Sequence, residues 1–411
     1  MLESRPVNHP GAWGVSHDVT DIYSEHVRIS PPPDPALLPD ALRPIIEATL
    51  EEGERGRVAP EPLRNALRDS GALRMLTPRE FGGTETPLTT VLGVYEGLGR
   101  IDASTGLLVW NANFGFIGAL LSAAGAEHLW GTTPDPVFAN SGKAGVIEVV
   151  DGGYELSGWF PIVTGIDAAD WLIVCAVVSR NGTPELIDGV PDLRLCAVRT
   201  GDFTIEDTWD VSGTRATGSN NAMVESVFVP ADLVTPPLHD PPRIDRRLYR
   251  GFIPHLVFAG CTAVALGVAQ AAVDATVTLA TRKAAATGCF LADEAHTQYA
   301  IAKADTALAA SRALLFSSIE TLQSLAELGR AVTIQHRAAL RAAMTHAAEV
   351  SREALVGMYE LAGSSALYRG HPLERTFRDG MAVLQHANHS RRFLQAAGRV
   401  HLGRDPGVPL F

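Results

Sequence analysis

Trp209-Asp-Val-Ser-Gly-Thr-Arg-Ala-Thr-Gly-Ser219 is a run of glycine, small and hydroxylated residues between two β-rich segments, Thr204–Trp209 and Ala222–Val229. Such a run reads as a tight connection that lets its backbone approach other groups closely. Strand signals continue on its N-terminal side. Leu193–Val198 is one, and Trp171–Val178 is an unbroken apolar run that ends at Asn181-Gly182, a pair suited to a two-residue hairpin turn. Gly152-Gly153 turns the chain before Tyr154–Phe160. Outside this zone the period changes to that of helices. Pro62–Leu76 places Leu63, Ala66, Leu67 and Leu73 on one face, and Gly106–Ala124 follows Asp102 and Ser104, either of which can cap a helix. Beyond Pro236–Pro242 the chain is rich in alanine, with long helical patterns over Glu294–Leu328 and Thr333–Ala362. The expected organisation is an N-terminal extension (1–36), a helical domain (37–136), a β domain (137–236) and a C-terminal helical bundle (237–411).

Composition narrows the function. The 411 residues carry 46 acidic against 34 basic side chains, a net charge of −12, so no broad cationic face is expected and nucleic acid and membrane are poor partners. Four cysteines without a CxxC pair point to a reducing, cytoplasmic compartment. Residues 1–30 contain four acids and no apolar h-region, unlike a secretory signal. The longest uncharged apolar run, Leu256–Ala269, falls short of the roughly 20 residues a bilayer core needs and reads as a buried helix. The chain has no GxxxxGK, HExxH or GxSxG motif, and no GxGxxG after a strand. His386-Ala-Asn-His389 offers two histidines three apart, without a third ligand at a recognisable spacing, so no metal site is expected.

Three stretches, in order, carry a resemblance. The 209–219 run followed by Val227-Phe-Val-Pro230 resembles the middle-domain signature of the acyl-CoA dehydrogenase superfamily. Leu76-Thr-Pro-Arg-Glu-Phe-Gly-Gly83 looks like its N-terminal P-x-x-x-G-G segment, and Pro372-Leu-Glu-Arg-Thr-Phe-Arg-Asp379 like its C-terminal P-x-E-R-x-x-R-D. The resemblance implies an α+β multidomain fold, with an N-terminal helical domain, a middle β-barrel and a C-terminal four-helix bundle, in a homotetramer. A flavin would lie between the β domain and the bundle.

Within that family the residues discriminate. Dehydrogenases of the superfamily need a glutamate to take an α-proton from an acyl thioester. The two positions where the family carries it correspond here to Ala387 and, near the start of the bundle, Val257. Neither side chain can move a proton. His386 stands one residue before Ala387, where the flavin-dependent monooxygenases of the superfamily carry an active-site histidine. A neutral imidazole there could act as a base toward a phenol or amine, or hydrogen-bond a flavin hydroperoxide. Ser157-Gly-Trp-Phe-Pro-Ile-Val-Thr-Gly165 resembles the monooxygenase strand G-x-W-x-F-x-S-G, with Phe160 at the tryptophan position and Thr164 at the serine. The resemblance places Thr164 at flavin N5. By position it also implies flavin contacts from Asn140, Ser141 and Gly363, and from Arg282 to a neighbouring subunit's flavin. Trp110 and Asn113 fall where relatives line the substrate pocket, Asn113 replacing a histidine.

The reading that follows is the oxygenase component of a two-component flavin-dependent monooxygenase. Reduced FMN or FAD would come from a separate NAD(P)H:flavin reductase, and a C4a-hydroperoxide formed with O2 would hydroxylate or N-oxidise a small organic substrate. Two alternatives stand beside it. A flavin oxidase or dehydrogenase with another base would purify yellow and bleach with substrate alone, and a flavin-free scaffold would not bind reduced flavin at all.

Overall fold

The computed structural model describes residues 30–32, 34–250, 257–283, 288–408 and 411; most of the expected N-terminal extension and the first residue of the Leu256–Ala269 run lie outside these. The helical N-terminal part runs α1 (Leu38–Gly56), α2 (Glu61–Asp69), α3 (Leu88–Ile101), α4 (Ala103–Ala112), α5 (Ile117–Leu120) and α6 (Ala123–Thr132). Asp102 starts α4 by accepting from the Thr105 amide at 2.8 Å and from its hydroxyl at 2.7 Å. The single helix expected over Gly106–Ala124 is instead divided into α4, α5 and the start of α6. Gly115 explains the break, since a Cβ built there would overlap the Thr77 side chain, and only a kinked, side-chain-free backbone fits that approach.

The strands are β1 (Phe138–Val150), β2 (Gly153–Phe160), β3 (Trp171–Arg180), β4 (Thr183–Pro184), β5 (Leu186–Ile187), β6 (Val190–Pro191), β7 (Leu193–Arg199), β8 (Thr204–Glu206) and β9 (Asn221–Pro230). Seven of them form one sheet in the order β4-β3-β1-β2-β9-β8, with β7 also along β3, and only β1 and β3 are parallel. The ladder runs from β8 to β7 without a closing pair between them, so the expected barrel is an open sheet in its hydrogen bonding. Asn181 and Gly182 both have positive φ, 52° and 74°, as a primed two-residue turn requires.

The C-terminal helices are α7 (Gly260–Ala280), α8 (Ala295–Glu327), α9 (Ile334–Ala362), α10 (Pro372–Val383) and α11 (Arg392–His401). By length and composition α7 could cross a membrane, yet it packs against α3, α8, α9 and α10, and most of its side chains are buried among them.

Two of the stretches quoted from the sequence, 209–219 and 372–379, meet at one junction. The Thr214 amide donates to Asp379 at 2.7 Å, and a Cβ on Gly213 would overlap the Arg378 carbonyl. Arg378 binds Glu374 at 2.7 Å, Glu54 of α1 at 3.0 Å and the Ser212 carbonyl. Burial, with Asp102 nearby, pushes the Asp379 carboxyl up to about 7. The unfolded chain ionises Asp379 near 4 while the fold keeps its proton to about pH 7, so this group costs stability as pH rises through that window. Asp379→Asn should therefore gain on the order of 1–3 kcal/mol over the native protein between pH 4.5 and 8. Melting temperatures of the two proteins across that range check it, and parallel curves would refute it.

Candidate active site

His386 follows α10 and caps the short helical turn Ala387–His389, its Nδ1 accepting from the Asn388 amide at 3.2 Å. The Trp110 ring of α4 meets its imidazole edge-on, with ring centres 5.1 Å apart and planes at 81°. Trp110 is itself fixed, because its indole N–H donates to the Val257 carbonyl at 2.8 Å and Gly260 leaves room for the ring. Behind His386 lies Arg341 of α9, which is 3% exposed and held between the rings of Phe258 at 3.9 Å and Phe393 at 4.2 Å. Its guanidinium donates to Asn388 Oδ1 at 3.1 Å. Burial, reinforced by this cation, lowers the His386 pKa to about 4. His389 is pushed to about 3 by burial and by His386; its Nε2 lies 3.2 Å from the Thr262 hydroxyl of α7.

His386 and His389 border an open cleft of about 710 Å³ whose other walls include Arg352 of α9 and Arg391 and Arg392 at the start of α11. Glu349, the one carboxylate among the described residues lining it, is paired with Arg391 at 2.9 Å. The cleft is thus net cationic. Ala387 is exposed at its rim, and Val257 contributes its carbonyl to Trp110.

Thr164 sits after β2 on the other side of α4, bordering a second cleft of about 300 Å³ with Leu108 and Ala112. Its carbonyl accepts from Asn111 Nδ2 at 2.6 Å, and Asn111 in turn binds Asn140 of β1. Neighbouring residues of one helix, Trp110 and Asn111, therefore contact His386 and Thr164 respectively. The Thr164 hydroxyl lies 3.0 Å from that of Ser219, and Ser219 lies 2.7 Å from that of Thr217. Thr217 donates to the Thr214 carbonyl at 2.8 Å. Each hydroxyl has one hydrogen, so Ser219 must donate to Thr217 and Thr164 to Ser219. The orientation leaves Thr164 Oγ1 with a free lone pair.

Three of the expected site residues take other places. Both amide hydrogens of Asn113 go to backbone carbonyls, Ala72 at 2.8 Å and Val109 at 2.7 Å, and its oxygen accepts from the Leu76 amide at 3.3 Å. It ties the end of α4 to the 72–76 segment, with no donor left for a substrate. Phe160 is fully buried, filling the space above Gly145 and Gly158 inside the sheet, and offers a flavin no surface. Arg282 is exposed beyond α7, whereas the adjacent Lys283 reaches the Ala362 carbonyl at 2.8 Å beside Gly363. Gly363 ends α9 with φ 56° and ψ −140°, a conformation open to glycine. Ser141 is buried just before an irregularity in β1 and accepts from the Lys143 amide at 3.2 Å.

The family model for the acyl-CoA dehydrogenase N-terminal domain matches residues 38–129, and that for the C-terminal domain matches residues 259–391. The indole-3-acetate monooxygenase of Pseudomonas putida is 32% identical over 366 residues, covering 87% of this chain and 91% of that one. The chain belongs to the acyl-CoA dehydrogenase superfamily. The oxygenase subunit HsaA of a flavin-dependent monooxygenase from Rhodococcus jostii is 28% identical, covering 89% and 94% of the two chains. The crystal structure of XiaF from Streptomyces, in complex with FADH2 and glycerol, superposes with a TM-score of 0.81 at 25% identity, over 91% of this chain and 98% of that one. The acyl-CoA dehydrogenase-like chain is a flavin-dependent monooxygenase of the two-component kind, using reduced flavin made by a separate reductase.

The residues present fit a reduced flavin in this family. An exposed glycine at positive φ leaves backbone open at the end of α9, three arginines against one glutamate suit a phosphate, and Thr164 offers a lone pair to a ring N–H. Asn111, Ser219 and Arg341 were not singled out from the sequence as site residues; only Ser219, at the end of the 209–219 signature, stood in a quoted motif.

Proposed function

We propose that the chain hydroxylates a small aromatic compound of about indole size, which rests against the Trp110 edge and meets the His386 imidazole. The packing of that imidazole on Trp110 at 5.1 Å carries the reading, because it joins an aromatic wall to a hydrogen-bonding group. The similarity to an enzyme named for indole-3-acetate supports the size class. Thr164 would accept from the flavin N5–H, and the arginine-walled cleft and Gly363 would hold the cofactor's phosphate end. A homotetramer in the cytoplasm completes the proposal; the free thiols of Cys175, Cys196, Cys261 and Cys289 accord with a reducing compartment. When bound, the flavin supplies the activation of oxygen, while the chain orients the substrate, holds the N5 proton and excludes water.

Oxygen uptake with photoreduced FMN and FAD, over a panel of indole-3-acetate, indole and phenols with mass spectrometry of products, tests this. Incorporation of one oxygen atom into an aromatic member is the expected result. Uptake that only ever yields hydrogen peroxide across the panel would sink the substrate class. Thr164→Val should raise the fraction of oxygen returned as peroxide several-fold, whereas Thr164→Ser keeps the hydroxyl and the native fraction; equal peroxide yields from all three proteins would remove Thr164 from the site.

A further inference from the structure

We propose that His386 works as a hydrogen-bond donor of fixed tautomer, its Nε2–H aimed at a reactant oxygen, and that Asn388 and Arg341 are the positioning residues that forbid it to act as a base. The inference deepens the function proposed above and rests on it for the identity of the reactants. The observation that carries it is the Nδ1 contact. Asn388 N–H points at that nitrogen from 3.2 Å, so Nδ1 must be the unprotonated one and the single ring proton of a neutral imidazole sits on Nε2. A base needs the reverse, either a free lone pair on the substrate side or room for a second proton. Taking a proton on Nδ1 would break its bond to the Asn388 amide and set two N–H groups against each other.

The surroundings give that second proton no anionic partner among the described residues. Arg341 holds Asn388 through its side-chain oxygen at 3.1 Å, which stiffens the turn whose amide caps Nδ1, and it places a buried cation behind the ring. Arg352 lines the same cleft from α9, His389 stands with its ring centre 6.0 Å from that of His386, and Cys261 approaches Asn388 from α7. Trp110 covers the α4 side with an uncharged ring. No described carboxylate contacts the imidazole, and Glu349 in the cleft is committed to Arg391. The depressed His386 pKa agrees with this geometry.

Two measurements on the full-length protein test the assignment. First, nitrogen NMR of 15N-histidine-labelled protein, with His386→Gln as the difference partner, should show one neutral imidazole protonated at Nε2 and unchanged from pH 8 to 5.5. In Arg341→Met the onset of titration should move to higher pH than in the native protein, while Arg341→Lys should leave it in place. An Nδ1–H tautomer, or titration near pH 6.5 in the native protein, would overturn the proposal even if the arginine variants fail to fold. Second, with photoreduced flavin and indole-3-acetate, His386→Gln should retain product formation within about tenfold of native, because a glutamine amide also donates. His386→Ala should lose ~10²-fold or more. Equal losses in both variants would mean a base and defeat the donor reading. If native protein gives no product from indole-3-acetate, the proposed function fails in that respect, and the NMR measurement still decides the tautomer.

Discussion

His386→Ala lowers hydroxylated product by ~10²–10³-fold with reduced flavin supplied in excess, while oxygen consumption continues and returns peroxide. The size of the loss follows from what the imidazole does in the fold. Its Nδ1 is occupied by the Asn388 amide, so the Nε2–H is the one polar hydrogen it can offer next to the Trp110 wall. Alanine removes that hydrogen and opens a space beside the indole that water can enter. Stopped-flow measurement of product against peroxide checks this, and a native product yield from the alanine variant would take His386 out of the reaction.

The second large effect is expected at a residue with no polar atom in its side chain. Gly260 begins α7 directly beneath Trp110, and a Cβ there would overlap Cδ1 of the indole and come within 2.5 Å of Nε1. The ring cannot simply move aside, since Nε1 is bonded to the Val257 carbonyl and the ring packs on His386. Gly260→Ala should then cost about 2–4 kcal/mol, the range for overpacking together with a lost buried hydrogen bond. Product formation should fall with it, because the indole no longer backs His386. Thermal melting and indole fluorescence give the readout; a native melting temperature with a native emission maximum would show that the site relaxes more easily than the packing implies.

Much of the architecture was legible because it rests on local periodicity. The patterns over Glu294–Leu328 and Thr333–Ala362 appear as Ala295–Glu327 and Ile334–Ala362, and Trp171–Val178 appears as a strand extended to Arg180. Helices repeat every three to four residues and strands every two, periods that a sequence displays directly. The broken helix after Asn113 was not legible, because the cause is Thr77, far off in the chain, pressing on Gly115. The site shows the same division. His386 is singled out by its spacing from Arg378, which the sequence displays, whereas the bonds that claim the Asn113 side chain come from the carbonyl of Ala72 and the amide of Leu76, 41 and 37 residues away. Arg341 lies 47 residues from Asn388, and the aromatic rings that shelter it come from two further segments. A buried arginine between two phenylalanines has no local signature; it looks like any basic residue of an alanine-rich helix.

Helix α4 gives its two adjacent residues, Trp110 and Asn111, to two different neighbours, one abutting the imidazole and the other tethering the Thr164 backbone. A rod gripped in this way behaves as a yoke. A bulkier guest that pushes the indole must drag the threonine with it, so guest size and oxygen economy rise and fall together, and engineering one independently of the other would first require cutting the Asn111 tether.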